Sequence, residues 1–104
     1  RKQTDYILNQ LHKYPHPFII MGDWNMKPGS RQWRKLTAKI QDTWQIAGIG
    51  PGNTYPSIRP RARLDYIFVS HELRVVEAEV IVKSTKASDH LPLKVTIHCC
   101  CKGS

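Results

Sequence analysis

The chain has 104 residues, room for one domain at most. Sixteen Lys and Arg stand against eight Asp and Glu, a formal net charge of +8. That balance favours polyanionic partners such as nucleic acid, anionic headgroups or polyphosphates, although charge alone does not separate these from a merely well-solvated basic surface. An apolar fraction of 40% excludes a disordered chain, and no apolar run is long enough to span a bilayer. With no initiator Met and no signal-peptide pattern, Arg1 reads as a cut edge.

Taken in order, the first segment carries Ile7, Leu8 and Leu11 at helical spacing. Asn9, Gln10 and Lys13 fall on the opposite face, and Pro15 and Pro17 end the element, so an amphipathic helix is expected from about Thr4 to Tyr14. Phe18 to Met21 then reads as a buried strand that delivers Gly22-Asp23-Trp24-Asn25 to a loop. In an extended backbone Asp23 and Asn25 point the same way, setting a carboxylate acceptor beside an amide. Such a pair can orient a water and hold a phosphate oxygen, although strand-Gly-Asp turns are also common without function.

Pro28-Gly29 forms a turn, and Ser30 can cap a second helix. Trp33, Leu36, Thr37 and Ile40 face the core at i, i+3, i+4 and i+7. Arg31, Arg34, Lys35 and Lys39 occupy the other side, either as a solvated face or as an electrostatic guide for a phosphate chain. From Asp42 the pattern loses regularity, broken by Gly48, Gly50, Pro51 and Gly52. The loop that follows brings Arg59, Arg61 and Arg63 near Tyr55, either to contact phosphate oxygens or to keep a connection solvated.

Leu64 to Ser70 alternates as a strand, with Leu64, Tyr66 and Phe68 on one face. Asp65 shares the other face with Ile67 and Val69, so this carboxylate needs a partner: a structural salt bridge or something catalytic. Leu73 to Val82 is expected as another strand, with Val76, Ala78, Val80 and Val82 packed and Glu77 and Glu79 outward. Lys83 to Ala87 reads as a polar loop leading to Ser88-Asp89-His90, and Leu91 to Ile97 as the last strand with Pro92 near its start. Domain residues therefore end at about 98. Cys99, Cys100 and Cys101 open a Cys-rich tail to Ser104, which reads as an appendage, with soft-metal binding or lipid attachment as alternatives.

Three separated signals now stand together: Gly22-Asp23-Trp24-Asn25, Leu64-Asp65-Tyr66-Ile67-Phe68-Val69-Ser70 and Ser88-Asp89-His90-Leu91-Pro92-Leu93. In this order and spacing they resemble the C-terminal half of the endonuclease/exonuclease/phosphatase family, over about Tyr6 to Ile97. Thr54-Tyr55-Pro56-Ser57 leading into Arg63-Leu64-Asp65-Tyr66 is similar to small stand-alone members of that family. The resemblance implies an α/β fold: half of a four-layer sandwich, a mixed and mostly antiparallel sheet with two helices on one face.

It also implies roles. Asp23 would orient or deprotonate the attacking water, and Asn25 would hold the phosphate or that water. His90 would contact a phosphate oxygen, and Asp65 would fix His90. Asp89 would help bind Mg²⁺ or Mn²⁺. Tyr55, Arg59, Arg61 and Arg63 would meet the substrate. The implied activity is metal-dependent phosphodiester hydrolysis, nuclease-like on nucleic acid. A lipid or small-molecule phosphodiesterase or phosphatase, or a non-catalytic scaffold, stands as the alternative. The family's first half supplies an Asn and a Glu that have no counterpart here. The chain is therefore expected to be a fragment, inactive alone, whose sheet face is covered by the missing half or by a second copy.

Overall fold

The computed structural model describes residues 2–82 and 88–99. Helix α1 (Lys2–Gln10) tightens into a 3-10 turn at Leu11–Lys13 and stops before Pro15. Strand β1 (Ile19–Asp23), helix α2 (Arg31–Thr37), strand β2 (Gln41–Asp42) and helix α3 (Thr43–Ala47) follow. Strands β3 (Asp65–Val69), β4 (Leu73–Val80) and β5 (Leu93–Cys99) complete the α/β arrangement. All strand pairings are antiparallel: one sheet is ordered β1-β3-β2, the other is the pair β4-β5.

β3 is the centre because its two faces feed two cores. Tyr66 and Phe68 pack with Met26, Leu36 and Ile40, against half-buried Ile7, Leu8, Leu11, Phe18, Trp24 and Trp33. Ile67 and Val69 pack with Leu73 and Val75, against Leu93, Val95 and Ile97 of β5. The helical spacing in α2 therefore does as the sequence implies. Ser30 caps it by accepting from the Trp33 amide, Leu36 is fully buried, and Arg31, Arg34, Lys35 and Lys39 stay exposed. Burying Leu36 alone contributes about 1.5–3 kcal/mol.

Several elements differ from the sequence expectation. β1 begins at Ile19 and runs through Asp23, so Asp23 ends a strand rather than following one, and the strand is not buried as expected: Ile19 and Met21 are exposed. β4 stops at Val80, and a bulge between Val75 and Glu77 switches which residues face inward. Leu73, Val75 and Ala78 are buried, whereas Val76 and Val82 are exposed. β5 extends through Cys99, opposite Leu73, so the strand takes the first cysteine of the triplet. Lys83 to Ala87 and the tail from Cys100 to Ser104 lie outside the described residues.

The segment from Asp42 is more ordered than its glycines suggest. Asp42 is wholly buried and caps α3, accepting from the Trp44 amide at 3.1 Å. The same carboxylate accepts from Trp33 Nε1 at 2.7 Å and pairs with the Arg63 guanidinium. Arg63 also lies 4.5 Å over the Tyr66 ring. Burial pushes the Tyr66 phenol up to about 12, and its hydroxyl donates to the Met26 carbonyl at 2.8 Å. Trp44 donates from Nε1 to the Gly50 carbonyl, and its ring lies directly against Gly48 and Gly52.

Arg63 is therefore corrected from a substrate contact to a buried structural cation: with 7% of its surface exposed, it cannot meet a phosphate chain. Replacing its partner leaves that charge uncompensated, a change that costs about 3–5 kcal/mol. Asp42→Ala is accordingly expected to destabilise the chain by that amount in urea unfolding. A loss below about 1 kcal/mol, the scale of a solvent-exposed pair, would show that Arg63 is solvated.

Candidate active site

The register of β1 on β3 sets Asp23 opposite Asp65, at the same end of both strands. Side chains directly opposite on an antiparallel pair share a face, so two carboxylates are brought side by side. Like charges so placed repel unless something cationic sits between them. His90 fills that role: Nδ1 is 2.6 Å from Asp65 Oδ2, and Nε2 is 3.6 Å from Asp23 Oδ2. An ionised carboxylate only accepts, so the proton of the short contact sits on Nδ1. Nε2 falls outside direct hydrogen-bond range of Asp23 and stays available to a third atom.

The Asp65 hydrogen bond raises the His90 pKa above its ordinary 6.5, partly opposed by desolvation and helped by the charges of Asp65, Asp23 and Asp89. Thr54, fully buried, donates its hydroxyl to the same Asp65 Oδ2 at 2.6 Å. The segment around Thr54 also holds the His90 loop by backbone bonds. Leu91 N donates to the Thr54 carbonyl at 2.8 Å, and Ser57 N to the Asp89 carbonyl at 2.5 Å. The Ser88 hydroxyl accepts from His90 N at 3.1 Å. The Tyr55 ring sits tilted against the imidazole, centroids 4.9 Å apart and planes at 49°.

Asn25 reaches the site differently from the extended geometry expected of it. Its φ of 48° is left-handed, a region that Asn tolerates better than most residues. The chain turns there, and the Asn25 amide donates to Asp23 Oδ1 at 3.0 Å. Asn25 thus meets Asp23 through its backbone, with its side chain at the exposed rim. Trp24 points inward, edge-on to Phe68 at 5.2 Å. Arg59 and Arg61 are exposed, and Asp89 is exposed beside His90.

Sequence reasoning missed Thr54 as a site residue. Its signal was present in the stretch preceding Tyr55, but a lone Thr reveals no partner until the fold brings Asp65 to it.

Asp23, Asp65 and His90 place one ligand atom each within 4.8 Å of one another, the only such group of His, Cys, Asp and Glu among the described residues. His90 uses Nδ1 on Asp65 and leaves Nε2 free, so the trio offers a cation the carboxylate oxygens of Asp23 and Asp65 and one imidazole nitrogen. Two carboxylates with an imidazole are a donor set that a divalent cation can use.

Residues 2–90 match the model of the Endonuclease/Exonuclease/phosphatase family. No curated protein sequence matches the chain. Among solved structures, a family protein from Leptotrichia buccalis is 30% identical with a TM-score of 0.70, covering 91% of this chain and 41% of its own. An endonuclease/exonuclease/phosphatase from Bacteroides vulgatus gives 20% identity and a TM-score of 0.78, covering 94% of this chain and 43% of its own. The mannosyl-6-phosphatase Bt3783 of Bacteroides thetaiotaomicron gives 20% identity and a TM-score of 0.71, again over 43% of its length. The chain therefore spans about two fifths of the solved structures it resembles. With nearly its whole described length inside the family model, the chain belongs to the Endonuclease/Exonuclease/phosphatase family.

Proposed function

We propose that these residues form part of the centre of a divalent-metal-dependent phosphodiester hydrolase, nuclease-like in substrate. The observation that carries the reading is one imidazole held between carboxylates from two paired strands. Asp23 takes a proton from the attacking water as that water's oxygen bonds to phosphorus and the ester P–O bond breaks, the leaving oxygen keeping the bonding pair and taking a proton from solvent. Asn25 steadies the phosphate at the rim. Held by Asp65, the His90 imidazolium directs Nε2–H at a phosphoryl oxygen and offsets the charge that develops there. Asp89, exposed beside His90, would help the Asp23–Asp65–His90 group to hold Mg²⁺ or Mn²⁺, which when bound would supply Lewis-acid polarisation of the phosphoryl oxygen.

Nucleic acid is favoured by the net charge of +8, by the exposed Arg59 and Arg61, and by the basic face of α2. Tyr55 lies beside His90, where it can contact the group next to the scissile phosphate. The solved relatives are more than twice as long, so this reading gives the chain one part of a centre. The segment of the relatives that it does not match would supply the rest.

Asp23→Ala and His90→Ala, made in the intact gene product, are each expected to lower cleavage of labelled DNA or RNA about 10²–10³-fold with the circular dichroism unchanged. Unaltered turnover in both would leave a scaffold as the better reading, and cleavage of sphingomyelin alone would move the substrate to lipid. Calorimetric titration of Mg²⁺ into the 104 residues should give a dissociation constant of about 1 mM or weaker, and micromolar binding would overturn the partial centre.

The His90 shift has a direction that can be measured. Because the folded pKa lies above 6.5, the imidazolium stabilises the fold fully below about pH 6.5, and the gain is lost as pH rises through the raised value. In EDTA, Asp65→Asn should bring the His90 proton resonance back toward ordinary titration. An unchanged titration midpoint would rule out the Asp65 hydrogen bond as its cause.

A further inference from the structure

At the pole of the β1–β3 pair opposite Asp23 and Asp65 lies a second hollow, of about 410 Å³. It is separate from the carboxylate–imidazole centre: Phe18 precedes β1 and Ser70 follows β3, whereas Asp23 and Asp65 stand at the other end of the same strands. Its floor is apolar, built from Leu8, Leu11, Phe18 and Ile40. Phe18 is fixed there by a reciprocal pair of bonds: its amide donates to Ser70 Oγ at 2.9 Å, and its carbonyl accepts from Ser70 N at 3.0 Å. The floor is thus part of the fold.

The rim has a different chemistry. Three of the chain's five histidines, His12, His16 and His71, stand around the mouth with Lys39 and Glu72. The rim's single carboxylate is held by one of its oxygens, Glu72 Oε2 lying 2.8 Å from His16 Nδ1. Lys39 makes no ion pair with any described residue. The groups left to meet an incoming molecule are therefore the Lys39 ammonium and the rings of His12 and His71, which line the hollow together with the apolar floor. A cavity of this size takes a small molecule, and sites of this type combine apolar walls with a few placed polar groups.

We propose that this hollow binds a small amphipathic anion, with its carboxylate or phosphate head on Lys39, His12 and His71 and its short apolar body on Leu8, Leu11, Phe18 and Ile40. A cationic head would meet Lys39 and would have to compete with His16 for Glu72. An uncharged alcohol would gain the floor and forgo the ammonium.

The test is an NMR titration of the 104-residue chain with octanoate, octyl phosphate, octanol, octylammonium and acetate. Octanoate or octyl phosphate should bind at least tenfold more tightly than the other three, and the comparison of the two tells a carboxylate from a phosphate head. Their shifts should be confined to Leu8–Phe18, Lys39–Ile40 and Ser70–Glu72. Lys39→Gln, an exposed change that leaves the floor intact, should weaken the anions about tenfold and leave octanol unaltered. Octanol or octylammonium binding as tightly as octanoate would overturn the proposal, as would shifts scattered over the surface or no effect of Lys39→Gln.

Discussion

One oxygen atom, Asp65 Oδ2, ties together the parts of the molecule that the site requires. It accepts from the His90 ring and from the Thr54 hydroxyl, both at 2.6 Å. Asp65 belongs to the central strand, Thr54 to the long loop before it, and His90 to the approach to β5. Three stretches distant in sequence are therefore fixed to each other through a single acceptor. A hydrogen bond to a charged group contributes about 1.5–3 kcal/mol, more than the typical neutral one. The backbone bonds from Leu91 to Thr54 and from Ser57 to Asp89 reinforce the same junction. With Asp65 held from two sides, the imidazole has one orientation, and its second nitrogen is left facing Asp23.

A buried carboxylate, Asp42, does for the scaffold what the partly exposed Asp65 does for the site. Asp42 takes the Trp33 indole, the Trp44 amide and the Arg63 guanidinium, joining α2, α3 and the approach to β3. The two acids divide the labour by environment. Asp42 is sealed from water with its countercharge beside it, whereas Asp65 sits near the surface with a titratable partner. A sealed ion pair is inert chemistry, and a partly exposed acid–imidazole pair can move a proton.

How far the sequence carries can be judged residue by residue. The helical stripe of Trp33, Leu36 and Ile40, the Ser30 cap and the two-faced burial of β3 follow from periodicity, because local geometry repeats and a buried face needs apolar residues at each repeat. The failures share a non-local cause. Arg63 looks like Arg59 and Arg61 in a list of alternating cations, and only the position of Asp42, 21 residues earlier, makes it structural. The bulge after Val75 moves Val76 outward, and one added residue reverses a period of two without leaving any compositional mark. Asn25 adopts a left-handed backbone, so the rule that residues two apart share a side does not hold at the position where it was applied. The Asp–His–Asp grouping was visible only as separate motifs; their distances depend on the strand register.

The packing of Trp44 bears on how this protein can change over evolutionary time. Its indole is flanked by Gly48 and Gly52 so closely that a methyl group at either would overlap the ring, and Gly52 also holds a φ of +70°. Between them Ile49 is 92% exposed and meets no comparable restriction. Drift in this loop should therefore be uneven, with residue 49 free to wander through most of the amino-acid alphabet while the glycines on either side stay frozen. The loop's inheritance is dictated by the shape of one aromatic ring, and its chemical character is open.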